Sequence, residues 1–271
     1  IIISICLIFF YFLKVFFLAF VEWSQYKFIY YLQSDLSKIL LRLYLFRPFF
    51  FHKKNNSSKL IRNILSEISL FSSIVLNTAI LIIELLVLIG ISLILIYFQP
   101  ISFLLISTCL LTLGILFYLL TKNRILQWGE NRQIHEGLRL QYLQESLGAY
   151  KLIKLRGKEN HFIEKFNKHN FNIANILLKQ SFLKSLPRLS LELLATIAFS
   201  ILITSLVIQN MPLSEIIPML VLYAAACFRL LPSVNRILSS LQLIRFAEPS
   251  INLLYDEFIQ KNKLIVKKEN I

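Results

Sequence analysis

Charge is scarce in this chain of 271 residues. Asp, Glu, Lys and Arg together make up 16% of it, against about a quarter in an ordinary soluble domain. Glycine (6) and proline (7) are few, which excludes a collagenous or Gly/Pro-rich disordered chain. The three cysteines, Cys6, Cys109 and Cys227, are far apart in apolar stretches. They read as small hydrophobes, so neither a disulfide framework nor a metal site is expected. The six glycines form no G-x-x-x-x-G-K, so the chain has no P-loop. What is abundant is apolar surface: 56% hydrophobic residues, 23 of them Phe, and a mean hydropathy of +0.66. A soluble enzyme is excluded, and an all-α integral membrane protein with several spans is expected.

The net charge of +14 is distributed unevenly. No Lys or Arg lies between Arg62 and Lys122, or between Arg188 and Arg229. Basic residues gather in three blocks, Lys27 to Arg62, Lys122 to Lys184 and Arg245 to Lys268. Apolar runs separate them, at Ile1–Val21, Ile74–Phe98, Ile101–Leu120, Leu186–Ile208 and about Leu213–Ile237. Each is near the ~20 residues a helix needs to cross a bilayer. The positive-inside rule then gives five spans, over about 1–32, 66–98, 101–128, 182–208 and 213–245. The uncharged turns Gln99–Pro100 and Gln209–Ser214 lie outside, and the blocks around Arg47 and Arg139 lie in the cytoplasm. An outside start with an odd number of spans predicts a further span before Ile1. Nucleic-acid binding is not expected, because topology alone accounts for the basic blocks.

The cytoplasmic connections are helical. Phe28, Leu32, Leu36, Ile39, Leu40 and Leu43 recur at helical spacing, with no Gly or Pro before Pro48. One helix from Ile1 to about Leu45 would be ~65 Å long, roughly twice the hydrocarbon thickness. Residues 121–185 carry 12 basic and 5 acidic residues and no Pro. They predict two arms, about 121–140 and 158–185, joined by a short element around 141–150. Asn55-Asn56-Ser57-Ser58 is a turn and N-cap opening the pattern Leu60, Ile61, Ile64, Leu65. Short helices over Ser58–Ile64 and Leu140–Gly148 are expected at the tips, as contact points for a cytoplasmic partner.

Two stretches carry a family resemblance. PFFFHKKNNSSKLIRNILSEI at 48–68 has an aromatic pair, a polar turn, an apolar helix and a downstream acid. LQESLGAYKLIKLRGKENHFIEKF at 143–166 has Glu-x-x-Gly, then Ile-Lys, Gly-x-Glu and Phe. In this order, between these spans, they resemble the membrane domain of type I ABC exporters. The resemblance covers essentially the whole chain. It implies a transmembrane domain over 1–258 with long cytoplasmic extensions and two coupling helices. These would present Ser58, Leu60, Ile61 and Ile64, and Tyr142, Glu145 and Gly148. Residues 259–271 would be the linker toward a nucleotide-binding domain of the same full-length protein, where ATP and Mg would bind. This chain itself would hold no cofactor, metal or catalytic residue. A homodimer in the bacterial inner membrane is implied.

Within that family, YAAACFRLLPSVNRILSSLQLIRFAEPSINLLYDEF at 223–258 is similar to bacterial flippases of lipid-linked oligosaccharides. Lys14, Arg188, Arg229 and Arg236 sit where those flippases have cavity cations thought to meet a polyprenyl pyrophosphate. Lys14 stands where Arg is more frequent.

A basic residue inside a span costs several kcal/mol unless paired or hydrated. Arg229 and Arg236 are seven residues apart and share a helix face. They either bind an anionic headgroup or serve structurally, pairing with an acid or snorkelling. Arg188 and Glu192, four apart, suit an intrahelical ion pair. Lys14 is a cavity cation or snorkels. Glu84 reads as a structural acid, protonated or paired with one of these cations. His52, His135, His161 and His169 lack metal-ligand spacing. The expected function is ATP-driven movement of a lipid-linked glycan. The alternatives are an exporter of a peptide, drug or lipid A-like lipid, and, less favoured, a membrane-embedded glycosyltransferase or a secondary transporter.

Overall fold

The computed structural model describes residues 2–98, 100–208 and 213–269. Among them every regular element is helical, as apolar runs require where lipid offers the backbone no partner. Five helices are long: α1 (Ile2–Leu45), α4 (Ile68–Phe98), α5 (Pro100–Gly148), α7 (Glu159–Ile208) and α8 (Leu213–Glu269). Three are short: α2 (Phe49–Lys54), α3 (Ser57–Arg62) and α6 (Tyr150–Arg156). The 44 residues of α1 extend about 66 Å, far beyond a hydrocarbon core of ~30 Å. The segments Ile3–Leu45 and Ser57–Leu93 are long and apolar enough to cross a bilayer. Gln99 and residues 209–212, where the uncharged outer turns were expected, lie outside the described residues. Contacts divide the chain into two units, one of Ile1–Leu76 with Ser250–Ile271 and one of Asn77–Pro249.

In the first unit, α1 ends where Pro48 cannot extend it. Pro48 (φ −57°, ψ 151°) instead opens α2. Asn55 and Asn56, both extended, separate α2 from α3. The Asn56 side chain accepts from the Ser58 N–H at 3.2 Å and caps α3. A π-helical turn, Asn63–Glu67, then joins α3 to α4. Leu40, Tyr44, Ile68 and Leu254 form the core here, with Leu60 and Ile64 packed against it.

The short helix expected over Ser58–Ile64 is present as α3, Ser57–Arg62, which runs on through the π turn into α4. Ser58 is buried and Leu60 and Ile64 face the core. The isolated short helix is α2, which the proline and the paired asparagines set apart.

In the second unit, α5 runs unbroken through Gly148. The expected short element at 140–148 is therefore corrected. No Gly or Pro interrupts 138–147, so nothing ends the helix before Gly148. Tyr142 and Glu145 belong to its last turns. The short helix is α6, closed by Gly157 at φ 59°, a left-handed conformation that glycine adopts freely. Lys158 N–H donates back to the Ile153 carbonyl at 3.2 Å. Helix α7 returns antiparallel to α5. Ile125, Ile176 and Phe246 form the core of this unit, with Trp128 and Leu183 packed on it. A Cβ on Gly129 would come within 2.1 Å of the Phe246 carbonyl oxygen, so only glycine permits this approach of α5 and α8.

Candidate functional site

The cations on the apolar helices of the second unit are not equivalent. Arg236 on α8 donates through Nη1 to Oε1 of Glu84 on α4 at 2.6 Å. The Glu84 side chain is 5% exposed and that of Arg236 is 60% exposed. The acid is thus fixed inside the helix bundle while the arginine reaches out of it. Arg188 donates through Nε to Glu192 at 2.8 Å, one turn along α7. Both side chains of that pair are more than half exposed. Arg229, two turns from Arg236, is exposed. Three exposed hydroxyls continue the Arg188–Glu192 line along α7. Thr196, Ser200 and Thr204 each donate to the carbonyl four residues back, at 2.8–2.9 Å. Their hydrogens are used within the helix, so each presents oxygen lone pairs outward. Lys14 belongs to the first unit, exposed on α1, with its ammonium 4.9 Å from the Tyr11 ring centroid.

Helices α4, α5 and α8 also bound an apolar groove of about 460 Å³, lined by Leu85, Ile89, Leu111, Ile115, Val234 and Leu241 among others. Its walls carry none of the four cations.

Beyond their apolar runs, α5 and α7 lie side by side. His135 and His169 face each other, Nδ1 to Nδ1, at 3.0 Å. Tyr142 stacks on the His169 ring with centroids 5.6 Å apart. Arg139 donates to Asn170 at 3.3 Å and to Glu136 at 3.4 Å. Burial, then the neighbouring His135, then Lys168 hold the His169 imidazole below its ordinary value. Tyr142, expected as a docking residue, stacks in the seam between the arms.

A family model for the ABC transporter transmembrane region matches residues 1–230. The chain belongs to this family. It is the transmembrane part of an ABC transporter and a membrane protein.

Two surfaces of this ABC transporter region are bare at its short helices. On α2, Phe49 is 84% exposed and Phe50 is exposed beside it. On α6, Leu155 is 85% exposed, with Tyr150 and Leu152 exposed as well. A groove of about 350 Å³ runs between α6 and the start of α7, with Ile153 and Phe162 on its floor and Arg156, Lys158 and His161 at its edge. Behind α2, Arg47 binds Glu257 at 3.0 Å and lies over the Phe51 ring, 4.2 Å from its centroid. Glu67, fully buried, accepts from the Ser250 hydroxyl at 2.5 Å and pairs with Arg62 at 3.5 Å. Asn63 donates to the Tyr44 hydroxyl at 2.9 Å. The π turn aims Asn63 and Glu67 at these partners.

The sequence identified Arg188–Glu192 from its spacing. The partner of Arg236, 152 residues away, had no local signal beyond an acid standing inside a span. The His135–His169 contact had none, since two helices bring together residues 34 apart. Among the described residues no three His, Cys, Asp or Glu gather to hold a metal.

Proposed function

We propose that the chain is the membrane half of an ATP-driven flippase that moves a polyprenyl-diphosphate-linked oligosaccharide, or a similar lipid-linked glycan, across the bacterial inner membrane. The observation that carries this reading is the set of exposed cations within the spans. Arginines facing hydrocarbon would cost several kcal/mol each. A water-filled cavity shared with a second copy removes that cost and gives the guanidinium groups a diphosphate to bind. In this reading each long helix supplies one span.

The working cycle follows from these parts. ATP and Mg bind at nucleotide-binding domains carried by the same full-length protein, and their closure moves α2 and α6. These are the coupling helices in this reading, replacing Ser58–Ile64 and Leu140–Gly148. The bonded α5–α7 arms carry the movement into the spans as a rigid lever. Arg229 and Arg236 hold the diphosphate through planar pairs of N–H donors. The oxygen lone pairs along α7 suit sugar hydroxyls. The polyprenyl tail stays in the bilayer, and the apolar groove of α4, α5 and α8 fits a segment of it.

The test is ATP-dependent flipping of a fluorescent polyprenyl-diphosphate glycan by the full-length protein in vesicles. Arg229→Ala is expected to slow flipping about tenfold or more while ATP hydrolysis persists, the loss of one charge-assisted contact being worth ~1.5–3 kcal/mol. Wild-type flipping by both Arg229→Ala and Arg236→Ala would leave an ABC exporter of another substrate.

A further inference from the structure

Glu84 stands near the middle of the apolar run Ile74–Phe98, a costly place for a carboxylate. Only one of its oxygens is used. Oε1 accepts from Arg236, and the buried Oε2 has no hydrogen-bond partner among the described residues. A half-satisfied buried acid is a poor way to stabilise a helix bundle, since an apolar side chain of similar volume serves as well or better. Its geometry suits another task. The carboxylate is immobile, and the side chain it grips is mostly exposed. A free arginine of that exposure loses rotamer entropy when a ligand fixes it.

Resting on the proposed cavity, we propose that Glu84 is a positioning residue for Arg236. It holds Nη1, so the opposite edge of the guanidinium, Nε and Nη2, is left for a ligand. That edge is a planar pair of N–H donors, matched to two oxygens of one phosphoryl group. The ligand class is therefore an oxyanion that offers two coplanar oxygens, such as phosphate or diphosphate, and not a halide. Arg188 shows the contrast. Its partner Glu192 is 53% exposed and takes Nε, so that pair is neither anchored nor presents the same edge.

The test is a double-mutant cycle on the full-length protein in lipid nanodiscs, with binding of inorganic pyrophosphate as the readout. Glu84→Met keeps the volume and removes the acid, while Glu84→Gln keeps an oxygen acceptor for Nη1. Glu84→Met is expected to weaken binding about tenfold, and Glu84→Gln to stay within about threefold of wild type. In an Arg236→Ala background, Glu84→Met should add no further loss, because its effect passes through Arg236. Equal weakening by Glu84→Met in both backgrounds would make Glu84 merely structural and overturn the proposal. So would unchanged or tighter binding in Glu84→Met. If Arg236→Ala weakens binding but Glu84→Met does not, positioning fails and the proposed function stands. If wild type binds no pyrophosphate, or Arg236→Ala binds it as wild type does, the anion-binding role of Arg236 fails and the positioning role fails with it.

Discussion

At the scale of single residues, the chain depends on a few positions that tolerate little change. Gly129 lets α5 meet the Phe246 backbone, where a methyl group would collide with a carbonyl oxygen. Gly129→Ala should destabilise the second unit by ~1–3 kcal/mol, the usual cost of overpacking, read as a lower melting midpoint in detergent. An unchanged midpoint would show that α8 yields freely there. Glu67 is fully buried between Arg62 and Ser250. Glu67→Ala should cost ~3–5 kcal/mol, because it removes one partner of a buried ion pair; retention of wild-type stability would contradict this. The candidate site was legible at this scale only in part. Composition and spacing singled out Lys14, Arg188, Arg229 and Arg236 as cations in spans. The pairing of Arg236 with Glu84 depends on how α4 and α8 pack, which no local pattern encodes.

At the scale of elements, helix existence was plain from apolar runs and the sparse Gly and Pro, and α1 matches its expected extent within a residue at its start. The short elements were harder. Pattern placed them at 58–64 and 140–148, whereas the breaks at Pro48, Asn55–Asn56, Ala149 and Gly157 set them at α2, α3 and α6, so only the first has a counterpart, in α3. In the apolar stripe over 60–64, Leu60 and Ile64 pack, partly buried, against the core. In the proposed exporter, Phe50→Asp or Leu155→Asp in the full-length protein should leave ATP binding intact and sharply reduce transport-coupled hydrolysis. Normal transport by both would remove α2 and α6 from the coupling path.

The α5–α7 seam also has a pH signature. The folded arms hold His169 below its ordinary value, so the unfolded chain binds more protons. Stability is then full above about 6.5 and declines as pH falls from there through the lower folded-state value. The melting midpoint of wild type should drop between pH 7.5 and pH 5.5, and that of His169→Gln should drop less. Equal drops would assign the effect to other groups.

At the scale of the whole molecule, charge distribution, helix length and family membership agree on a transporter's membrane region. The central claim is that the span cations face water inside an assembled dimer. Site-directed labelling tests it most directly. In a full-length protein with Cys6, Cys109 and Cys227 replaced by alanine, single cysteines are placed at Arg229, at Arg236 and, as a comparison within an apolar run, at Ile8. Labelling in vesicles uses a charged maleimide that reacts only from water. Arg229→Cys and Arg236→Cys are predicted to label fast, to slow when ATP closes the cycle, and to react far faster than Ile8→Cys. Labelling of all three at the same slow rate would put Arg229 and Arg236 in lipid and contradict the account.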